Sequence, residues 1–111
     1  MKTKAIITDL DRTLLRTDKS ISPYTVEILE KCRERGIFVM TASARPLRDI
    51  RTFEKSFTFD AVTATNGAVI ALPDRRLEYG ISSESGERIL EGLLRFPDVF
   101  LSVETSGGLY S

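Results

Sequence analysis

Lys4-Ala5-Ile6-Ile7-Thr8-Asp9-Leu10-Asp11-Arg12-Thr13 decides how the rest of the chain reads: a short apolar run stops abruptly at two carboxylates. A buried strand has this pattern where it leaves a sheet. Downstream, Ser22-Pro23 supplies an N-cap and a first-turn proline. Val26, Ile28, Leu29 and Cys32 supply an apolar face, and Gly36 supplies a stop. Ile37-Phe38-Val39-Met40-Thr41 is again short and apolar. A strand, a helix and a second buried strand make a right-handed parallel crossover, so the sheet is expected to be parallel.

The unit then repeats. Ala42-Ser43-Ala44-Arg45 reads as a small-residue loop, and Pro46 opens a second helix with Leu47, Ile50, Phe53 and Phe57 on one face, ending near Ser56. Ala61-Val62-Thr63-Ala64-Thr65 is a third strand that runs into the turn-forming Asn66-Gly67-Ala68. After Asn66 the pattern changes. Residues 68–72 and 77–81 flank Pro73-Asp74-Arg75-Arg76 and read as a β-hairpin. Ser82-Ser83-Glu84 start an amphipathic helix carrying Ile89, Leu90, Leu93 and Leu94, which ends before Pro97. Val99, Leu101 and Val103 then alternate toward a Ser106-Gly107-Gly108 turn, and Leu109-Tyr110-Ser111 begins a return strand. The expected class is α/β, with a partial parallel-sheet core over residues 1–81 and the beginning of an α+β module over residues 82–111.

Composition narrows the chemistry. The 111 residues carry 16 Lys+Arg against 16 Asp+Glu, with 41% hydrophobic and 29% charged residues, the balance of a small globular unit. A net charge of zero without any long basic run gives no footprint for nucleic acid or an anionic membrane. No apolar stretch has the length of a membrane span or the form of a signal peptide, so the cytoplasm is the expected location. With one cysteine and no histidine, the chain can assemble neither a structural zinc site nor a His-based triad, and Cys32 reads as a buried, inert thiol. Acid–base work at neutral pH would have to come from carboxylates, Lys or Tyr, and a bound metal would be oxygen-ligated, which suits Mg²⁺.

In an open parallel sheet, ligands bind beyond the carboxyl ends of the strands. The polar residues placed there are Asp9 and Asp11 after the first strand, Ser43 and Arg45 after the second, and Asn66 after the third. Asp9 and Asp11, two apart in an extended segment, put both carboxylates on one side and Leu10 on the other. Their proximity is expected to raise one pKa, leaving one group as nucleophile or metal ligand and the other as proton carrier. The plain alternative is an Asp-rich loop capped by Thr13. Phe53, Phe57 and Phe59 read as core.

The stretch from Ile6 to Leu15 resembles the first motif, D-x-D-x-T, of the haloacid dehalogenase superfamily of phosphohydrolases. Ala42-Ser43-Ala44-Arg45-Pro46 resembles the A-T-G-R-P form of motif two in the Cof-type sugar-phosphatase branch, and Thr65-Asn66-Gly67-Ala68 resembles the N-G-A segment of that branch. The resemblance implies a Rossmann-like core followed by the start of an α/β cap. It implies a phosphatase acting on a small phosphorylated metabolite through an aspartyl phosphate on Asp9. Asp11 would serve as acid and base, and Ser43 would bind the phosphoryl group, with Arg45 and Asn66 on the phosphate or substrate side. Mg²⁺ would be held by Asp9 and the Asp11 backbone carbonyl. Arg12 departs from the usual Gly, and Ser43-Ala44 from the usual Thr-Gly. The motif-three Lys and motif-four acids of the family are not found, so an N-terminal part of a longer protein is expected. A phosphotransferase or mutase of the same superfamily is the near alternative. A receiver-like phosphoacceptor module is the distant one, since it needs an Asp at the end of strand three, where Thr65-Asn66 stands.

Overall fold

A computed structural model describes residues 2–111. By internal contacts the chain divides into two compact units, one running to Glu78 and the other from Tyr79 to Ser111.

In the first unit, β1 (Ala5–Thr8), β2 (Phe38–Ala42) and β3 (Ala61–Ala64) pair in parallel, with Ile6 opposite Val39 and Thr41 opposite Val62. α1 (Pro23–Glu34) and α2 (Leu47–Phe53) are the connections. The chain then reverses: β4 (Val69–Ala71) and β5 (Arg76–Glu78) add antiparallel, giving the order β1-β2-β3-β4-β5. α1 starts where the Ser22 hydroxyl accepts the Thr25 N–H with Pro23 in the first turn, and it stops at Gly36, whose φ of +74° is the left-handed conformation glycine adopts without strain. α2 is shorter than its apolar spacing predicts, ending at Phe53 rather than near Ser56. Phe57 nonetheless reaches the core from the loop, stacked edge-on against Phe59 at 5.3 Å and capped by the Arg33 guanidinium at 4.3 Å.

The core is Leu10, Leu15, Ile21, Leu29, Val39, Leu47, Ile50, Phe57, Phe59, Val62, Ala64 and Ala71, all from this unit. β2 and β3 are the buried strands. β1 stands at one end of the sheet order and is only half-buried, with Ile7 64% exposed on the lining of the hollow described below. Cys32 is half-buried beside the core rather than inside it.

The second unit holds α3 (Ser83–Leu93), capped by the Ser82 hydroxyl on the Ser85 N–H, and a hairpin of β6 (Val103–Thr105) and β7 (Gly108–Tyr110). α3 ends before Pro97, as its sequence predicts. Among the described residues, no helix is long and apolar enough to cross a membrane.

Candidate active site

β1 delivers Asp9 to the carboxyl end of the sheet, and the chain then makes a wide turn over Leu10–Leu14, closed by the Leu15 N–H on the Leu10 carbonyl at 2.9 Å. Inside this turn Asp9 and Asp11 keep extended backbones, so their side chains share one side while Leu10 is fully buried on the other. The turn reverses at Arg12, with φ of +60°, a conformation that costs an L-residue with a Cβ about 1–2 kcal/mol and that glycine adopts freely.

β2 ends at Ala42 and delivers Ser43, which is buried. Its hydroxyl oxygen accepts the Arg45 N–H at 3.1 Å, fixing the loop. β3 ends in a tight turn over Thr65–Gly67 whose three residues all have positive φ. The turn clasps the β2 loop through its backbone: the Asn66 N–H donates to the Ser43 carbonyl and the Thr65 N–H to the Arg45 carbonyl. Among the described residues, the non-glycine residues with positive φ are Arg12, Lys19, Thr65 and Asn66, all in loops beyond β1 or β3. Such strain persists only where surrounding structure imposes it.

These loops border a hollow of about 590 Å³ lined by Thr8, Asp9, Asp11, Ser43, Thr63, Asn66 and Gly67 together with the apolar Ile7, Ala42 and Ala44. Asp9, Asp11, Ser43 and Asn66 are thus brought together. Arg45 is not on the lining. Its guanidinium grips Asp11 with both arms, Nε on Oδ2 at 2.6 Å and Nη2 on Oδ1 at 2.8 Å, while lying 5.2 Å over the Phe53 ring.

The Asp11 carboxylate also takes a 2.9 Å hydrogen bond from Lys19 Nζ on Oδ1. Arg45 first and Lys19 second therefore hold the Asp11 carboxyl well below the usual carboxylate range. The expected upward shift is therefore not found at Asp11, where the two cations act in the opposite direction. Asp9 accepts the Leu10 N–H on Oδ1 at 2.7 Å. Lys19 is the site neighbour that sequence reading missed. Eight residues from Asp11 with no periodic relation to it, it was signalled only by Asp18-Lys19-Ser20, a turn sequence between the apolar anchors Leu15 and Ile21. Asp60 lies at the other end of β3, where its carboxylate accepts the Val39 N–H, so strand three brings no acid to the hollow.

The acidic side chains on the lining, Asp9 and Asp11, are hard oxygen donors. Among the described residues, no three metal-ligating side chains cluster. One carboxylate with carbonyl and water ligands suits Mg²⁺, which keeps several of its waters, and does not suit zinc.

The family model for haloacid dehalogenase-like hydrolases matches residues 6–111. Among solved structures, the chain is similar to BT1666 from Bacteroides thetaiotaomicron, described with the phosphatases of the haloalkanoate (HAD) enzyme superfamily. The TM-score is 0.81 at 26% identity, over 96% of this chain and 40% of that one. It is also similar to TM0651 from Thermotoga maritima, with a TM-score of 0.75 at 31% identity over 85% of this chain and 36% of that one. The HAD subclass IIB sugar phosphatase BT4131 shares the fold, with a TM-score of 0.67 at 22% identity over 84% of this chain and 38% of that one. Among curated proteins none matches. The chain therefore spans about two-fifths of the length of these solved relatives.

Proposed function

Since the chain belongs to the haloacid dehalogenase-like hydrolase family, we propose that it carries the nucleophile, the proton carrier and a phosphate-binding hydroxyl of a Mg²⁺-dependent phosphatase. The substrate is a small phosphate monoester, a sugar phosphate or similar metabolite, which fits a cytoplasmic location. The observation that carries this reading is the placement of Asp9, Asp11 and Ser43 at the carboxyl ends of two adjacent parallel strands, around one hollow.

In this reading Asp9 Oδ2 attacks phosphorus, since Oδ1 is engaged by the Leu10 N–H. The bond from phosphorus to the leaving oxygen breaks with its electron pair on that oxygen, and Asp11 supplies the proton. Water then attacks the aspartyl phosphate, Asp11 takes its proton, and phosphate leaves Asp9 free. At rest Asp11 is held as the anion by Arg45 and Lys19, the form needed for the second step. The proton needed for the first step is taken up from solvent at the carboxylate oxygen site that Arg45 and Lys19 leave open. The Ser43 oxygen already accepts the Arg45 N–H, so its own proton is the part offered to a phosphoryl oxygen. Asn66 contributes its side-chain amide on the substrate side. Mg²⁺, held by Asp9 and the Asp11 carbonyl, would offset the phosphoryl charge.

We assign residues 1–81 to the catalytic core and residues 82–111 to the beginning of a cap module that selects the ester, with further residues beyond this chain completing the phosphate site. Steady-state kinetics of the full natural chain test the reading. Asp9→Asn should lower phosphate-monoester hydrolysis by at least about 10³-fold, since an amide neither attacks nor carries the charge. Retention of wild-type turnover would overturn it.

A further inference from the structure

Resting on the phosphatase reading above, we propose that Lys19 is a positioning residue that fixes which oxygen of Asp11 handles the proton. A carboxylate has about four lone-pair sites, two on each oxygen. Arg45 takes one on each oxygen, and Lys19 takes a second on Oδ1 at 2.9 Å. Oδ1 is thereby saturated, and Oδ2 keeps the one site from which a proton can be given or taken. Without Lys19 the Arg45 fork alone leaves both oxygens equally available, and the carboxylate loses one of the three contacts that fix its rotation.

The backbone is built to hold this lysine. Leu15 and Ile21 bury the two ends of its loop in the core. Between them the Arg16 N–H donates to the Ser20 carbonyl at 2.8 Å and the Lys19 N–H to the Arg16 carbonyl at 2.9 Å. Asp18 Oδ1 accepts both the Ser20 N–H and its hydroxyl. Lys19 itself sits at φ +66°, a left-handed conformation that an ordinary surface lysine has no reason to adopt. A loop tied to itself and anchored at both ends restricts where a long, half-exposed side chain can reach, and here the Asp11 carboxylate is within its reach.

The test is leaving-group dependence in the full natural chain. Lys19→Met keeps the chain length and the backbone demand but removes the donor. It should lower kcat/KM about ten-fold for an unactivated sugar phosphate, whose alkoxide needs a well-placed proton. With p-nitrophenyl phosphate, whose leaving group departs without one, the loss should be at least three times smaller. Lys19→Arg should recover most of the sugar-phosphate activity. Equal losses on both esters, or no loss on either, would overturn the proposal, the first marking a purely structural loop residue and the second an idle ion pair. Asp9→Asn run alongside separates this failure from that of the parent reading. If Asp9→Asn turns over either ester normally, the phosphatase assignment falls, and this inference falls with it.

Discussion

Every buried hydrophobic side chain among the described residues belongs to the unit that ends at Glu78, while the unit from Tyr79 to Ser111 buries none. Both are patterned with similar care. α1 and α3 each have a serine N-cap whose hydroxyl takes the N–H three residues on, and both present an apolar stripe. The difference lies in what the stripes meet. In the first unit the helices connect strands of one sheet, so Leu29, Leu47 and Ile50 find Val39 and Val62. In the second, a single helix and a two-stranded hairpin leave Ile81, Leu94, Phe96 and Phe100 in solvent, Phe100 fully so. Amphipathic spacing and caps therefore suffice to specify an element, whereas a core needs a sheet wide enough to receive it. A lone hairpin is marginal in water.

The contrast is open to breaking by substitution. Ile50→Ala, at a position with no solvent exposure, should cost about 2–5 kcal/mol, and Leu94→Ala, on the exposed end of α3, less than about 0.5 kcal/mol. Denaturant titration of the 111-residue chain measures both, and comparable losses would mean that residues 79–111 have a core of their own. A smaller effect of opposite sign is expected at Thr41, fully buried in β2 with a hydroxyl that has no hydrogen-bond partner. Thr41→Val removes that unpaired group at little change in volume and should stabilise by about 1 kcal/mol. A loss of stability there would show that the hydroxyl is satisfied.

The smallest effect is expected at the exposed rim. The Asp11 carboxyl is depressed by Arg45 and Lys19, so its contribution to stability is present above the unfolded-state carboxylate pKa of about 3.9. It is lost as pH falls through that value toward the lower folded one. Between about pH 5 and pH 2.5 the wild-type chain should lose a share of stability that Asp11→Asn does not lose, measured as the difference between their unfolding midpoints at each pH. Parallel curves would show that the ion pairs do not persist in solution.

Much of the parallel core was legible because its signals are local. The runs 4–8 and 37–41, separated by a Ser-Pro start and a Gly stop, dictate a crossover, and Ile6 duly faces Val39 in parallel register. Asp9, Asp11, Ser43 and Asn66 could be placed on one rim for the same reason, since each follows a strand end. What was not legible depends on contacts across the chain. The grip of Arg45 on Asp11 spans 34 residues and that of Lys19 spans 8, and together they reverse the direction in which the Asp11 pKa moves.

The central claim is that Asp9 takes the phosphoryl group onto its own carboxylate, and it is tested most directly by trapping. The full natural chain is mixed with a phosphate monoester and Mg²⁺, quenched in acid within the first turnover, digested, and mapped by mass spectrometry. A phosphoryl group on the peptide carrying Asp9, absent from Asp9→Asn, is the predicted result. A phosphoryl group on another residue, or turnover that continues in Asp9→Asn, would contradict it.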